Sequence, residues 1–449
     1  MRSGSQTTLG EIAAFEMGQA PPGVECNKAG KGTVFVKAGE FASLYPEEKE
    51  WTTRPLKFGK RGDVFICVVG ATAGKLNLGI DCAIGRSVAA IRPNEGINTK
   101  FVYYQLQPHV LKLRAASSGS AQGVISKTQL QQIPILVVPL DQQKLLVAEI
   151  EKQFSRLDES VANLKRVKAN LKRYKASVLK AAVEGKLTED WRKQHPNVEP
   201  ASKLLERILA ERRAKWNGRG KYKEPAKPGT NNLPSLPEKW TWATVDQLTS
   251  MVTSGSRGWR AYYSDTDPLF IRAQDIKTDS LNLQTIARVS IPKNTEGTRT
   301  AVTNGDILIT ITGANVTKSA LVKQLGEQAF VSQHVALLKP SLASVSTYLF
   351  TWVVSPAHGR KMLERWAYGA GKPGLSLDQV RGLPVALPPL AEQNPITAEV
   401  ERRLSVIEEL EAAVQANLTR ADRLRQAILA RAFHFGCSSV SPRTAVPGS

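Results

Sequence analysis

The sequence predicts an α+β fold: two β-rich domains separated by two long helices that form an antiparallel coiled coil, built on an internal pseudo-two-fold repeat. Three observations predict it. The stretch QQIPILVVPLDQQKLLVAEIEKQF (Gln131–Phe154) returns as RGLPVALPPLAEQNPITAEVERRL (Arg381–Leu404), so that Pro134 meets Pro384, Pro139 meets Pro389, Leu140 meets Leu390 and Gln143 meets Gln393. Behind each copy runs a heptad of apolar residues. Ahead of each copy lie short blocks rich in Val, Ile and Thr and bounded by Gly and Pro, the composition of strands and turns.

Taken in order, the first β-rich block opens at TTLGEI (Thr7–Ile12), which ATVDQL (Ala243–Leu248) echoes in the second half. KRGDVFICVVGATAGKLNLG (Lys60–Gly79) resembles TNGDILITITGANVTKSALV (Thr303–Val322), aligning Gly62–Asp63 with Gly305–Asp306 and Gly70 with Gly313. RSVAAIRP, ending at Pro93, then resembles QHVALLKP, ending at Pro340. Each β-rich block gives way to a helix, from near residue 141 to near 184 in the first half and from near 391 to near 433 in the second. At 1.5 Å per residue each helix is roughly 65 Å long.

In the first helix Ile150, Phe154, Leu157, Val161, Leu164, Leu171 and Val178 fall on alternating steps of four and three, with Lys168 and Lys175 interrupting. In the second, Val400, Leu404, Ile407, Val414, Leu418, Ala421 and Ile428 do so, with Glu411 and Arg425 interrupting. A 3.5-residue period held over four heptads argues for a coiled-coil seam. Matched registers favour pairing between the two helices over separate packing of each on its own domain. Gly185 and Gly436 stand where helix-ending glycines are expected. Between the halves, PASKLLERILAERRAKW (Pro200–Trp216) predicts a shorter amphipathic helix, followed by a Pro/Gly-rich linker. The Ser/Pro-rich tail after Gly436 is expected to be disordered.

Composition narrows the function. The 449 residues carry 61 Lys+Arg against 40 Asp+Glu, a net charge of +21. That excess points to a polyanionic partner, nucleic acid first and an anionic membrane surface second. The apolar runs, such as VFICVVG at Val64–Gly70, fall short of the ~18 residues of a membrane span, and the N-terminal stretch lacks the apolar core of a signal peptide. Cys26, Cys67, Cys82 and Cys437 form no CxxC pair, which predicts reduced thiols in a cytoplasmic protein.

No catalytic or metal constellation assembles. GATAGKL (Gly70–Leu76) has three residues between its glycines where a P-loop needs four, and Leu76 stands where a magnesium-binding Ser or Thr is required. The five histidines, His109, His195, His334, His358 and His434, lack metal-ligand spacing. No GxSxG elbow, no Gly-rich S-adenosylmethionine loop and no Asn/Asp-Pro-Pro-Tyr/Phe motif is present. A chain without catalysis and without a bound cofactor of its own is expected.

The basic residues are distributed unevenly. From Ser160 to Val183 there is no acidic residue, while Lys165, Arg166, Lys168, Lys172, Arg173, Lys175 and Lys180 are present. Such a run is a solvated face, a track for a phosphate backbone or a surface for an acidic partner. Within the β-rich domains the candidates for DNA contact sit in loops. TSGSRGWRAYYS places Arg257 and Arg260 beside Trp259, Tyr262 and Tyr263, and FIRAQDIK adds Arg272 and Gln274, with Lys318 further on. The first-half counterparts are GQAPPG (Gly18–Gly23) with Lys28 and Lys31, and Arg86. Arginine and glutamine read guanine and adenine edges bidentately. Two Gly-rich loops, SSGSAQGVIS with Ser120 and Gln122 and YGAGKPGLS with Lys372, suit phosphate contact or close approach to bases. Each of these residues has an ordinary surface role as its alternative.

The doubled IP/LP…VPL/PPL…Q blocks leading into long helices, AAVEGKLTEDWR (Ala181–Arg192), LLERILAERRAKW (Leu204–Trp216) and LPEKWTWATVDQL (Leu236–Leu248) together resemble the specificity subunit of Type I restriction–modification systems. The resemblance spans essentially the whole chain. It implies a first target-recognition domain at 1–138, a helical region with linker at 139–232, a second target-recognition domain at 233–388, a second helical region at 389–436 and a tail at 437–449. It implies that each recognition domain reads one half of a split double-stranded DNA sequence. The paired helices would separate the domains and dock two modification subunits, through the thirteen seam residues from Ile150 to Val178 and from Val400 to Ile428 named above, Ala421 aside. Those partners would hold S-adenosylmethionine and methylate adenine, and restriction subunits would supply ATP- and magnesium-dependent translocation and cleavage. The family's Trp-containing lead-in stands here only before the second domain, as LPEKWTW; the first copy opens directly at TTLGEI, so an abbreviated first domain or a start further upstream is expected. A coiled-coil adaptor that binds DNA non-specifically, and an autonomous enzyme with hidden motifs, are the alternatives.

Overall fold

The computed structural model describes residues 4–110, 113, 124–216, 221–229, 233–255, 258–290, 299–367 and 373–433. Gly436 and the tail lie outside them. By its internal contacts the chain forms two compact units, Met1–Arg166 with Val414–Ser449, and Val167–Ala413.

Each unit holds one β-rich domain, and the two domains are built alike. An antiparallel two-stranded ribbon stands at the base, Ser5–Thr8 with Pro134–Val137 in the first unit and Thr241–Thr244 with Pro384–Leu387 in the second. A four-stranded antiparallel sheet follows. Its members are Ala13–Met17, Val88–Pro93, Val64–Cys67 and Leu76–Leu78 in the first unit, and Thr249–Ser254, Val335–Pro340, Ile307–Thr310 and Ser319–Leu321 in the second. A second sheet packs on it, and each second sheet contains one parallel pair: Thr33–Val36 beside Cys82–Ile84, and Tyr263–Ile271 beside Ala329–Val331.

The central strands read as unbroken apolar runs because both their faces are covered. Val64, Ile66 and Val68 enter the core shared with the helices, while Phe65 and Cys67 point to the second sheet. In the other unit Ile307, Ile309 and Ile311 face the helices and Leu308 faces the second sheet. The period of two therefore sorts one strand between two cores.

The long helices span Leu140–Val183 and Leu390–Phe433, 44 residues each, and both ends keep the repeat's register. Two repeated devices lead into each one. A capping box starts the short helix before the ribbon strand, Lys127–Gln131 in the first unit and Leu377–Arg381 in the second: Ser126 Oγ accepts from the Gln129 amide and Gln129 Oε1 accepts from the Ser126 amide, and Ser376 and Gln379 do the same. The repeated glutamine then ties the first turn back to the strand. Gln143 Nε2 donates to the Val138 carbonyl at 2.8 Å and Gln393 Nε2 to the Pro388 carbonyl at 3.1 Å, both side chains 1% exposed. Gly185 ends the first helix at φ 71°, and the shorter helix runs Ala201–Ala214.

The helices meet antiparallel within each unit. In the first, Val147, Ile150 and Phe154 share a core with Leu429, Ile428 and Phe433. Arg425, which interrupts the heptad, lays its guanidinium 4.3 Å from the centre of the Phe154 ring and pairs with Asp158. In the second, Val178, Leu179 and Ala182 share a core with Ile396, Val400 and Leu404. Lys175, at the repeat position of Arg425, turns to Asp279 at 3.7 Å. Of the seam residues, Ile150, Phe154, Leu171, Val178, Val400, Ile407 and Val414 are buried, and Leu157, Val161, Leu164, Leu404, Leu418 and Ile428 are half-buried. Along the basic run, Lys165, Arg166, Lys168, Lys172 and Arg173 are exposed.

Candidate nucleic-acid interface

A parallel pair of strands delivers the residues that follow both strands to the same edge of a sheet. That is how each unit builds a cleft. In the second unit Ile271 lies level with Val331, so Arg272–Gln274 and Ser332–His334 emerge together. The Ser332 amide donates to the Ile271 carbonyl at 2.9 Å. With Trp259, Tyr263, Phe270, Thr312 and Asn315 they line a cleft of about 580 Å³. In the first unit Val36 lies level with Ile84, and the Gly85 amide donates to the Val36 carbonyl at 2.9 Å. Lys37 and Gly85–Ser87 emerge there and, with Cys26, Lys28, Phe35, Glu50 and Val69, line a cleft of about 720 Å³.

The pairing registers make these clefts repeats of one another. Phe35 pairs with Ala83 as Phe270 pairs with Phe330, so Lys37 stands for Arg272, and Gly85, Arg86 and Ser87 stand for Ser332, Gln333 and His334. Each of those latter trios forms the same tight turn, closed by the Val88 amide on the Gly85 carbonyl at 2.9 Å and by the Val335 amide on the Ser332 carbonyl at 3.0 Å. A glycine backs each turn. A Cβ on Gly18 would lie 2.1 Å from the Gly85 carbonyl oxygen, and one on Gly255 would lie 1.9 Å from the Val331 carbonyl oxygen. Only glycine lets the neighbouring chain pass this close. The described ends of the Gly-rich loops also return to the cleft walls, Val124 bridging to Val69 and Gly374 to Thr312.

The charged residues in the clefts are not equally free. The Arg272 guanidinium is closed on Asp275, Nε to Oδ2 at 3.0 Å and Nη2 to Oδ1 at 3.2 Å, with Asp275 itself 3% exposed. The Asp275 hydrogen bond raises the Arg272 pKa further and keeps the group charged. The fork that a bidentate base contact would use is thus already occupied. Lys37 pairs with Glu50; burial works against its charge, but the hydrogen bond and charge of Glu50 outweigh that and raise its pKa. Gln333 Nε2 lies 3.1 Å from His334 Nε2. Among the described residues, three buried polar atoms of the second cleft, Trp259 Nε1, Ser332 Oγ and Gln333 Oε1, have no hydrogen-bond partner.

Of the sequence candidates, the structure gathers Lys28 with Arg86 in one cleft and Arg272 with Gln274 in the other. Lys31 is exposed on the neighbouring loop, where its carbonyl accepts from Asn27 Nδ2 at 2.8 Å. Lys318 stands behind the second cleft, its Nζ donating to Asn315 Oδ1 at 2.7 Å. Arg260 lies in the short turn Trp259–Tyr262. Trp259, read as a loop aromatic, is buried against Phe270 at 5.7 Å between ring centres. Ser120, Gln122, Arg257 and Lys372 lie outside the described residues. Lys37, Asn315, Gln333 and His334 escaped the sequence reading, although the match of RSVAAIRP to QHVALLKP already set Arg86 opposite Gln333. Among the described residues no group of three or more His, Cys, Asp or Glu could hold a metal ion, and no helix is long and apolar enough to cross a membrane.

Two repeats of one cleft on a doubled helical frame match known proteins. Residues 5–173 match the Type I restriction modification DNA specificity domain. The chain is 25% identical over 374 residues to the EcoKI specificity subunit of Escherichia coli strain K12, an alignment covering 82% of this chain and 71% of that protein. Over most of its length the chain is similar to specificity subunits of Type I restriction–modification systems. Two solved structures share the fold of this chain at 17% identity. One, from work on assembly and conformational transition of the type I R-M system, has a TM-score of 0.64 and covers 96% of this chain and 98% of its own. The other, the HsdS subunit of Thermoanaerobacter tengcongensis, has a TM-score of 0.50 and covers 96% of this chain and 97% of its own. DNA recognition is the role that the family's name carries.

Proposed function

We propose that this chain is the sequence-specific subunit of a Type I restriction–modification complex and reads a bipartite, asymmetric double-stranded DNA target, one half with each cleft. The observation that carries the reading is a single cleft built twice with unlike polar linings. An adaptor needs no such difference, whereas two unlike half-sites do. The +21 net charge supplies the attraction to phosphate that any such reader requires. Two modification subunits dock on the doubled helical regions, since two copies of one surface give two copies of one partner. Helices of 44 residues, about 66 Å at 1.5 Å per residue, set the gap between half-sites.

In this reading the chain is not a catalyst. Adenine methylation and its S-adenosylmethionine belong to the modification subunits, cleavage with ATP and magnesium to the restriction subunits, and the complex works in the cytoplasm. The test is a map of methylated adenines in DNA from cells expressing this chain with its modification subunit. A split motif of two unequal halves with a fixed gap is the expected result. A contiguous or palindromic motif would overturn the two-reader proposal, and methylation or cleavage by the purified chain alone would overturn the non-catalytic one.

A further inference from the structure

We infer that one position of the repeat sets base choice: Arg86 at the tip of the first turn selects a G·C pair in one half-site, and Gln333 at the tip of the second selects an A·T pair in the other. The inference rests on the DNA-reading function proposed above and deepens it.

Three observations converge on that position. The turn is held more firmly than an ordinary loop. Its first residue is bonded to the parallel neighbour strand, its ends are bonded to each other, and Gly18 or Gly255 leaves no space for the backbone to shift. A side chain that reads a base must project from a fixed backbone, because a displacement of an ångström loses the hydrogen-bond geometry.

Two of the other cleft cations are engaged, Arg272 by Asp275 and Lys37 by Glu50, while Lys28 is an exposed lysine, whose single ammonium lacks the fork of a guanidinium. Arg86, by contrast, is exposed, and among the described residues it has no hydrogen-bond or ion-pair partner. Among the described residues Gln333 Oε1 is a buried acceptor without a donor, and it shares the cleft with Trp259 Nε1 and Ser332 Oγ, likewise unpartnered there on residues 8% and 6% exposed. Unused hydrogen-bonding capacity of this kind costs stability unless a ligand or water satisfies it.

The residue types then differ between the repeats in the one way that matters for sequence. A guanidinium presents two donors, which match N7 and O6 of guanine. An amide presents a donor and an acceptor, which match N7 and the N6 amino group of adenine. The frame is repeated, and its tip residue is changed.

The test exchanges the tips in the full chain, co-expressed with its modification subunit, and reads the methylation motif. Gln333→Arg is expected to change one A·T position to G·C in one half-site, leaving the other half intact. Arg86→Gln is expected to change one G·C position to A·T in the opposite half-site. Because a long side chain could disturb the buried wall around Gln333, Gln333→Ala provides a second route. It is expected to open that one position to all four bases, a loss of discrimination of about 5- to 140-fold. A split wild-type motif that stays unchanged in Gln333→Ala and Arg86→Gln would overturn the inference and leave the two-cleft reading standing. A wild-type chain without a split motif would overturn both.

Discussion

Glu392→Ala is expected to destabilise the second unit by about 3–5 kcal/mol, the cost of breaking a buried ion pair by removing one partner. Glu392 is fully buried in the first turn of the second long helix. Its Oε1 accepts from Arg192 Nη1 at 2.6 Å and from Thr188 Oγ1 at 2.6 Å, and its Oε2 accepts from Trp240 Nε1 at 2.8 Å. One carboxylate therefore holds together the segment after the first helix, the lead-in to the second β-rich domain and the start of the second helix. Removing it strands three donors, one of them a guanidinium only 21% exposed. Glu392→Gln keeps an acceptor but loses the charge opposite Arg192, and a smaller loss of about 1.5–3 kcal/mol follows. Arg192→Ala combined with Glu392→Ala should cost less than the sum of the two, by a coupling of about 1–3 kcal/mol. The assay is urea unfolding of the full chain followed by tryptophan fluorescence. Seven of the eight tryptophans, all but Trp51, belong to the second unit, so the signal reports the unit that changes. A midpoint shift in Glu392→Ala worth less than about 1 kcal/mol, or no coupling to Arg192, would refute the reasoning.

Three further outcomes are expected. Gly255→Ala forces its Cβ onto the Val331 carbonyl and should cost about 1–3 kcal/mol by overpacking, whereas Gly326→Ala, with nothing within 4 Å, should be near neutral; thermal unfolding compares them. Burial pushes the Cys67 thiol up to about 11 and the Cys82 thiol up to about 12. Both should resist a disulfide reagent at pH 8 until the chain is unfolded. Since the folded pKa values are the higher ones, their contribution to stability is complete below the reference thiol pKa of 9 and is lost as pH rises toward 11–12; alkaline unfolding of Cys82→Ala against wild type reads it. Removing one heptad from the middle of each long helix shortens it by about 10.5 Å, so the half-site gap should shrink by about three base pairs while the halves stay the same. A constant gap in the methylation motif would count against the helices as spacers.

The helical frame was legible because its signals are local and periodic. The heptad fixes the seam from Ile150 to Val178 without reference to anything distant, and the Pro–Leu–x–x–Gln device marks where each helix starts. What Gln143 and Gln393 do there, closing the helix onto the preceding strand, needed coordinates. The clefts were only partly legible, because they depend on parallel pairing across 48 residues in one case and 60 in the other, Phe35 to Ala83 and Phe270 to Phe330. Arg86, Arg272 and Gln274 are legible as arginine and glutamine in loops, but nothing local in the sequence marks that Asp275 already holds Arg272. Gln333 and His334 stand between the strands Ala329–Val331 and Val335–Pro340, and in sequence they are the opening of the apolar block QHVALLKP, with nothing local to mark them as a turn. Arg425 read as a flaw in the heptad, yet its stacking on Phe154 and its pair with Asp158 make it a polar pin within the seam.

The base ribbons carry a consequence for inheritance. Thr8 lies opposite Pro134, and Thr244 opposite Pro384, so the chain enters and leaves each β-rich domain at neighbouring points, within about 5.5 Å between opposed Cα atoms. A domain with adjacent ends can be exchanged as a cassette. Chimaeras joined at these ribbons should fold with unaltered helices, and aggregation or loss of helix content in them would argue otherwise. Recombination between related genes at the two short stretches that encode a ribbon would then replace a whole β-rich domain in one event, leaving the long helices untouched.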